Sequence, residues 1–214
     1  MSGGSGLRFD NYADGEWRMR IGPTDGPEIL FVPPLLEEMN RCRALLVAMM
    51  RRLAADGFLC TLPDLPGTGE SERALGAITW SDWREAVARA SNAAITAAIR
   101  GGALLDDAVI TPHWRFAPVT GASLCRDLER AERAGGARHG GYPLCGSLWD
   151  SLQDSTAKPL QNGRTIRLVS DAQLADAKFD GPALWRRSEP GTAPDLADAL
   201  ANDIRDWAGR CGIS

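Results

Sequence analysis

Histidine is scarce: the 214 residues contain only His113 and His139. A metal centre built on imidazole therefore has too few ligands, since neither histidine lies near a cysteine pair. A nucleophile that needs a histidine to take its proton has only two places to find one. Cysteine supplies no other framework. Cys42, Cys60, Cys125, Cys145 and Cys211 are odd in number and never spaced CxxC. Free, mostly buried thiols in a reducing cytoplasm are expected, with no disulfide, no metal and no cofactor.

Basic excess is missing as well. A net charge of −4 lacks the electrostatic footprint of a nucleic-acid binder. No apolar run approaches the roughly 18–20 residues of a membrane span. Met1-Ser2-Gly3-Gly4-Ser5-Gly6 has neither the basic nor the apolar region of a signal peptide, and residues 1–6 read as a flexible lead-in. The 23 glycines and 13 prolines sit at turns rather than in a low-complexity tract. What is present is ordinary: 44% hydrophobic and 24% charged residues, the balance of a globular protein. The length suits one substantial core, so residues 1–214 read as a single domain.

Ile29–Ser71 is the best-specified stretch. Ile29-Leu30-Phe31-Val32 is a buried strand closed by Pro33-Pro34. Leu45, Leu46, Met49, Met50 and Leu53 then mark one buried helix face, and Gly57 can take the left-handed conformation that ends a helix. A second strand, Phe58–Leu62, runs into the turn Pro63–Gly69. Strand, helix and strand make a right-handed βαβ unit.

Around this unit the pattern continues. A hairpin is expected from Leu7–Tyr12 and Glu16–Ile21, joined at Asp14-Gly15. Thr79 or Ser81 caps a helix over 82–93, and an apolar stretch, Ala93–Ile99, meets Arg100-Gly101-Gly102. Val109–Phe116 reads as a strand and 123–133 as a charged helix. Residues 117–164 form a small cap or edge excursion, whose irregular part, 135–164, holds a short helix near 147–153. Thr165–Ser170 is a clear strand, Ala183–Trp185 a weaker final one, and Pro194–Gly209 a closing amphipathic helix. The fold class is α/β, a doubly wound, mostly parallel sheet. Ligands in such folds sit at the carboxyl ends of the strands. That puts the loops at Pro33–Asn40, Pro63–Ser71, Arg100–Gly102, Asp171 and Trp185–Glu189 on one rim.

Phe31-Val32-Pro33-Pro34 and Pro63-Asp64-Leu65-Pro66-Gly67-Thr68-Gly69-Glu70-Ser71 resemble two loops of the α/β-hydrolase superfamily: its oxyanion-hole loop and its D-x-x-G-x-G-x-S turn. Glu37-Glu38-Met39-Asn40, Trp80-Ser81-Asp82-Trp83, Arg100–Leu105 and Trp114–Val119 look more closely like the exosortase A system-associated hydrolase 2 group. The resemblance covers about residues 28–130 and implies a bacterial exopolysaccharide or exosortase context.

A serine hydrolase of this kind carries its nucleophile in G-x-S-x-G on a sharp strand-to-helix turn. The matching stretch is Ala98-Ile99-Arg100-Gly101-Gly102, with Arg100 where the serine belongs. A guanidinium is always protonated and cannot attack a carbonyl. Asp171 fits the acid position, but Arg186, Arg187 and Ser188 stand where the family carries its histidine. Ser123, with His139 as base, is the remaining nucleophile candidate; as N-cap of its helix it has a structural role instead. The candidate ligand-binding residues are Pro34, Glu37, Glu38, Asn40, Asp64 and Arg100. Arg100 either binds a small anionic or sugar-like ligand or is neutralised by Glu37 or Glu38. The leading expectation is a hydrolase-like protein without the usual triad. The alternatives are a small serine esterase or thioesterase, and an interaction module docking through 135–164. The oligomeric state is not encoded in any feature of the sequence.

Overall fold

The computed structural model describes residues 6–160 and 162–213, so the expected lead-in lies outside the described residues except for Gly6. Eight strands form one sheet in the order β1-β2-β4-β3-β5-β6-β7-β8. They are β1 Arg8–Ala13, β2 Glu16–Ile21, β3 Glu28–Val32, β4 Leu59–Pro63, β5 Ile95–Ile99, β6 His113–Phe116, β7 Gly163–Leu168 and β8 Ala177–Phe179. The β1–β2 hairpin joins β4 antiparallel, and every other pairing is parallel.

Alternation along the strands divides the core in two. Ile29 and Phe31 face a cluster built with α1 (Glu37–Ala55) and α5 (Pro194–Arg210), while Leu30 and Val32 face the opposite one. That second cluster takes Trp83 and Val87 from α2 (Trp80–Arg89), Leu124 and Leu128 from α3 (Gly121–Arg133), and Leu148 and Leu152 from α4 (Gly146–Asp154). Helices on both faces explain why the central strands read as continuous apolar runs. The excursion at 117–164 thus packs largely on one face of the sheet, beside α2. Among the described residues no helix is long and apolar enough to cross a membrane.

Several expected elements differ. Ala183–Trp185 is not a strand; Leu184–Arg186 is a single 3-10 turn. The last strand is Ala177–Phe179, which pairs with Ile166–Leu168. The strand expected from Val109 begins only at His113, because a 3-10 turn at Asp106–Ala108 and Pro112, which has no N–H, interrupt the approach. Helix α2 stops at Arg89 rather than 93. Its cap is Thr79, which accepts from the Asp82 amide while Asp82 accepts from the Thr79 amide, a reciprocal capping box. Ser123 does not cap α3: Thr120 does, and the Ser123 amide donates to its Oγ1 at 3.3 Å.

Glu16, at the start of β2, is 4% exposed, and among the described residues no donor lies in good hydrogen-bond geometry to either carboxylate oxygen, the Ser71 hydroxyl being only nearby. Burial pushes its carboxyl above the ordinary range, against the opposing pull of Ser71 and Arg73. A raised folded-state value favours folding at low pH, and that contribution fades as pH rises through it. Glu16→Gln will therefore gain stability over the wild type as pH rises above the ordinary carboxylate range, because only the wild type must ionise a buried carboxyl. Urea unfolding at several pH values measures this, and parallel pH profiles of the two proteins would contradict it.

The thiols differ in the same legible way. Burial raises Cys42 to about 12 and Cys125 to about 11, and raises Cys60 further still. Cys145, at the N-cap of α4, is instead held below its ordinary value by the Ser147 hydroxyl and the Leu148 amide. Because the thiolate is the reactive form, iodoacetamide should modify Cys145 first in the native protein. Mass spectrometry of a time course checks this; equal labelling of Cys42 or Cys60 would contradict it.

Candidate functional site

The turn after β5 sets Arg100 at the carboxyl end of the sheet. Ile95–Ile99 is buried at every position, and Arg100 follows it with φ 54. A non-glycine residue there carries backbone strain of about 1–2 kcal/mol. Leu36 (φ 54) after β3 and Ala117 (φ 47) after β6 share this feature. Strained backbone therefore gathers at the carboxyl ends of three neighbouring parallel strands. Gly102 lets the turn close against β3: a Cβ there would lie 2.3 Å from the Val32 carbonyl oxygen and 2.7 Å from that of Pro33.

Arg100 is buried in an ion pair. Its Nε lies 3.1 and 3.2 Å from the two Glu38 oxygens, and Nη2 donates to Glu38 Oε1 at 2.7 Å. Nη1 donates to the Ala117 carbonyl at 3.0 Å. The guanidinium also sits 4.4 Å from the Trp185 ring centroid, within cation–π range. Arg100 and Glu38 are each 8% exposed. Burial pushes the Glu38 carboxyl above its ordinary value, with the Arg100 charge opposing. Helix α1 also grips the turn that carries Trp185, because Arg41 Nη1 donates to the Trp185 carbonyl at 2.8 Å.

The other candidates do not join this group. Asp171 follows β7 and is bound to Arg167 at 2.7 Å and to the Gln173 amide at 2.9 Å. Although burial pushes upward, those partners hold its carboxyl below the ordinary range. His113 opens β6 at the opposite end of the strands, with Nδ1 3.9 Å from the Asp106 carboxylate. His139 stacks on Trp149, ring centroids 4.1 Å apart, and its amide donates to Glu132. Ser123 lies in the first turn of α3 rather than at a strained elbow. Among the described residues no group of three His, Cys, Asp or Glu side chains is arranged to hold a metal.

Beside the ion pair lies a cavity of about 420 Å³, lined by the loop after β3, the turn after β4 and the start of α1. It takes in Pro34, Asn40 and Asp64 from the expected set, but not Glu38 or Arg100. Glu37 stands behind it: its Oε2 accepts from the Tyr142 hydroxyl at 3.1 Å and from Asn40 Nδ2 at 3.2 Å. Burial raises the Tyr142 phenol to about 12 and also raises the Asp64 carboxyl. Tyr142 and Arg43 both line the cavity, and the sequence did not single them out. Arg43 had a signal, standing three residues after Asn40 on one helix face. Tyr142 had none, since it comes from the irregular segment and meets Glu37 across 105 positions.

No family profile matches the chain, and no curated protein does. Solved structures do. Mouse alpha/beta hydrolase domain-containing protein 10 superimposes with a TM-score of 0.62 at 16% identity, over 96% of this chain and 99% of that one. A hydrolase-type protein from Agrobacterium vitis S4 gives a TM-score of 0.62 at 15% identity, over 94% and 98%. With its sheet order and its helices on both faces, the chain has the α/β-hydrolase fold.

Proposed function

We propose that this α/β-hydrolase-fold protein does not hydrolyse an ester or thioester and instead binds a small ligand in the cavity lined by Pro34, Asn40, Asp64 and Tyr142. The observation that carries the reading is Arg100. The residue on the strained turn is a permanently charged group engaged with Glu38, Ala117 and Trp185, and it offers no lone pair for attack. The loop that follows the last strand brings an indole to that turn, where a general base would be needed. The setting we propose is the bacterial cytoplasm, in exopolysaccharide or exosortase-linked work. It is supported by the resemblance of Glu37–Asn40 and Trp80–Trp83 and by the free thiols.

A panel of p-nitrophenyl esters of increasing acyl length tests this. Release at the buffer rate is expected from the wild type and from Ser123→Ala alike. Turnover that disappears in Ser123→Ala would establish the esterase instead.

A further inference from the structure

We infer that the cavity beside the ion pair is built for a neutral hydroxylated ring, such as a monosaccharide unit, and discriminates against acidic sugars. The inference rests on the proposed reading of this cavity as the binding site. Its polar edge is a mismatched pair. Arg43 Nη2 and Asp64 Oδ1 stand 3.9 Å apart, beyond hydrogen-bond distance. Asp64 Oδ2 is occupied by the Glu70 amide at 3.0 Å, which leaves Oδ1 turned toward Arg43.

A hydroxyl oxygen set on the cavity side of the pair, off the line joining them, can lie about 2.9 Å from each, accepting from the guanidinium and donating to the carboxylate. Neither a carboxylate nor an ammonium group can do both. The first only accepts and would bring its charge against Asp64; the second only donates and would meet Arg43. The rest of the lining fits an amphipathic ring. Pro33, Met39 and Leu65 offer apolar surface to C–H faces. Asn40, whose amide nitrogen is held by Glu37, keeps its carbonyl oxygen as an acceptor. Glu37 is thus a positioning residue, fixing Asn40 and Tyr142.

The test is saturation-transfer NMR with methyl glucoside, methyl galactoside and the matching methyl glucuronoside at near-neutral pH. Alongside it, the fluorescence of the neutral apolar dye N-phenyl-1-naphthylamine reports on cavity access, with Met39→Trp, which fills the cavity, as control. The wild type is expected to bind a neutral glycoside at least about tenfold more tightly than its uronate, the like-charge cost at Asp64. Asp64→Asn should abolish that preference. Arg43→Gln should weaken the neutral glycoside about fivefold or more, as loss of a hydrogen bond to a charged donor implies, without shifting the thermal midpoint. A uronate bound as tightly as the glycoside, or glycoside binding indifferent to Arg43→Gln, overturns the inference. Dye that enters the cavity but is not displaced by glycosides also overturns it, while leaving the binding reading intact. If neither dye nor glycoside binds, both fall.

Discussion

Glu38→Ala will lower stability by about 3–5 kcal/mol, because it leaves the Arg100 guanidinium buried without its carboxylate. For a protein of this size that is a fall in Tm of roughly 10 °C. Both side chains are 8% exposed, so solvent cannot replace the lost partner, and Trp185 supplies only a ring face. Arg100→Met should cost a similar amount, stranding Glu38 and freeing the Ala117 carbonyl. The double variant Glu38→Leu/Arg100→Met should recover most of the loss, since replacing both partners of a buried pair with apolar groups is often neutral. Denaturant midpoints of the four proteins form the cycle. A Glu38→Ala loss under about 1 kcal/mol would mean that the pair does not lock the turn.

Gly102→Ala is the second large effect expected. Its Cβ would meet two backbone oxygens, at 2.3 and 2.7 Å, on the end of β3. β3 cannot retreat, being held in register between β4 and β5 through Leu30↔Thr61 and Leu30↔Thr96. The turn must move instead, and with it Arg100. A loss of about 3 kcal/mol is expected, the upper end of overpacking costs. Gly57→Ala is the control: Gly57 has a left-handed φ of +96, which Gly102 does not, and among the described residues nothing lies within 4 Å of a Cβ built there. That change should cost only about 1 kcal/mol. A Gly102→Ala loss no larger than that of Gly57→Ala in guanidinium unfolding would contradict the close-approach account of Gly102.

The parts of this fold that could be read from the sequence are those set by local pattern. The period of Leu45, Leu46, Met49, Met50 and Leu53 gave α1 its buried face, and Asp14-Gly15 gave the hairpin. Weak apolar triplets failed: Ala183-Leu184-Trp185 leads into a 3-10 turn at Leu184–Arg186, and the short strand Ala177–Phe179 takes the sheet edge instead. The candidate site divides the same way. That a carboxylate would meet Arg100 followed from the convergence of two strand-end loops. The choice between Glu37 and Glu38 depended on the rotation of about 100° between successive helical residues, which aims Glu38 inward and Glu37 toward Tyr142. Trp185 is legible as a residue on the same rim as Arg100, but its stacking on that guanidinium, and Tyr142 as a wall of the cavity, are long-range contacts with no local trace in the sequence.

We propose that the turn after β5 holds a charge lock and that no serine elsewhere, Ser123 included, is activated to replace the missing nucleophile. Intact-mass analysis after incubation with a fluorophosphonate probe tests it most directly, because the probe bonds only to an activated hydroxyl. The protein should emerge at its unmodified mass. A stoichiometric adduct mapped to Ser123, lost in Ser123→Ala, would contradict the account.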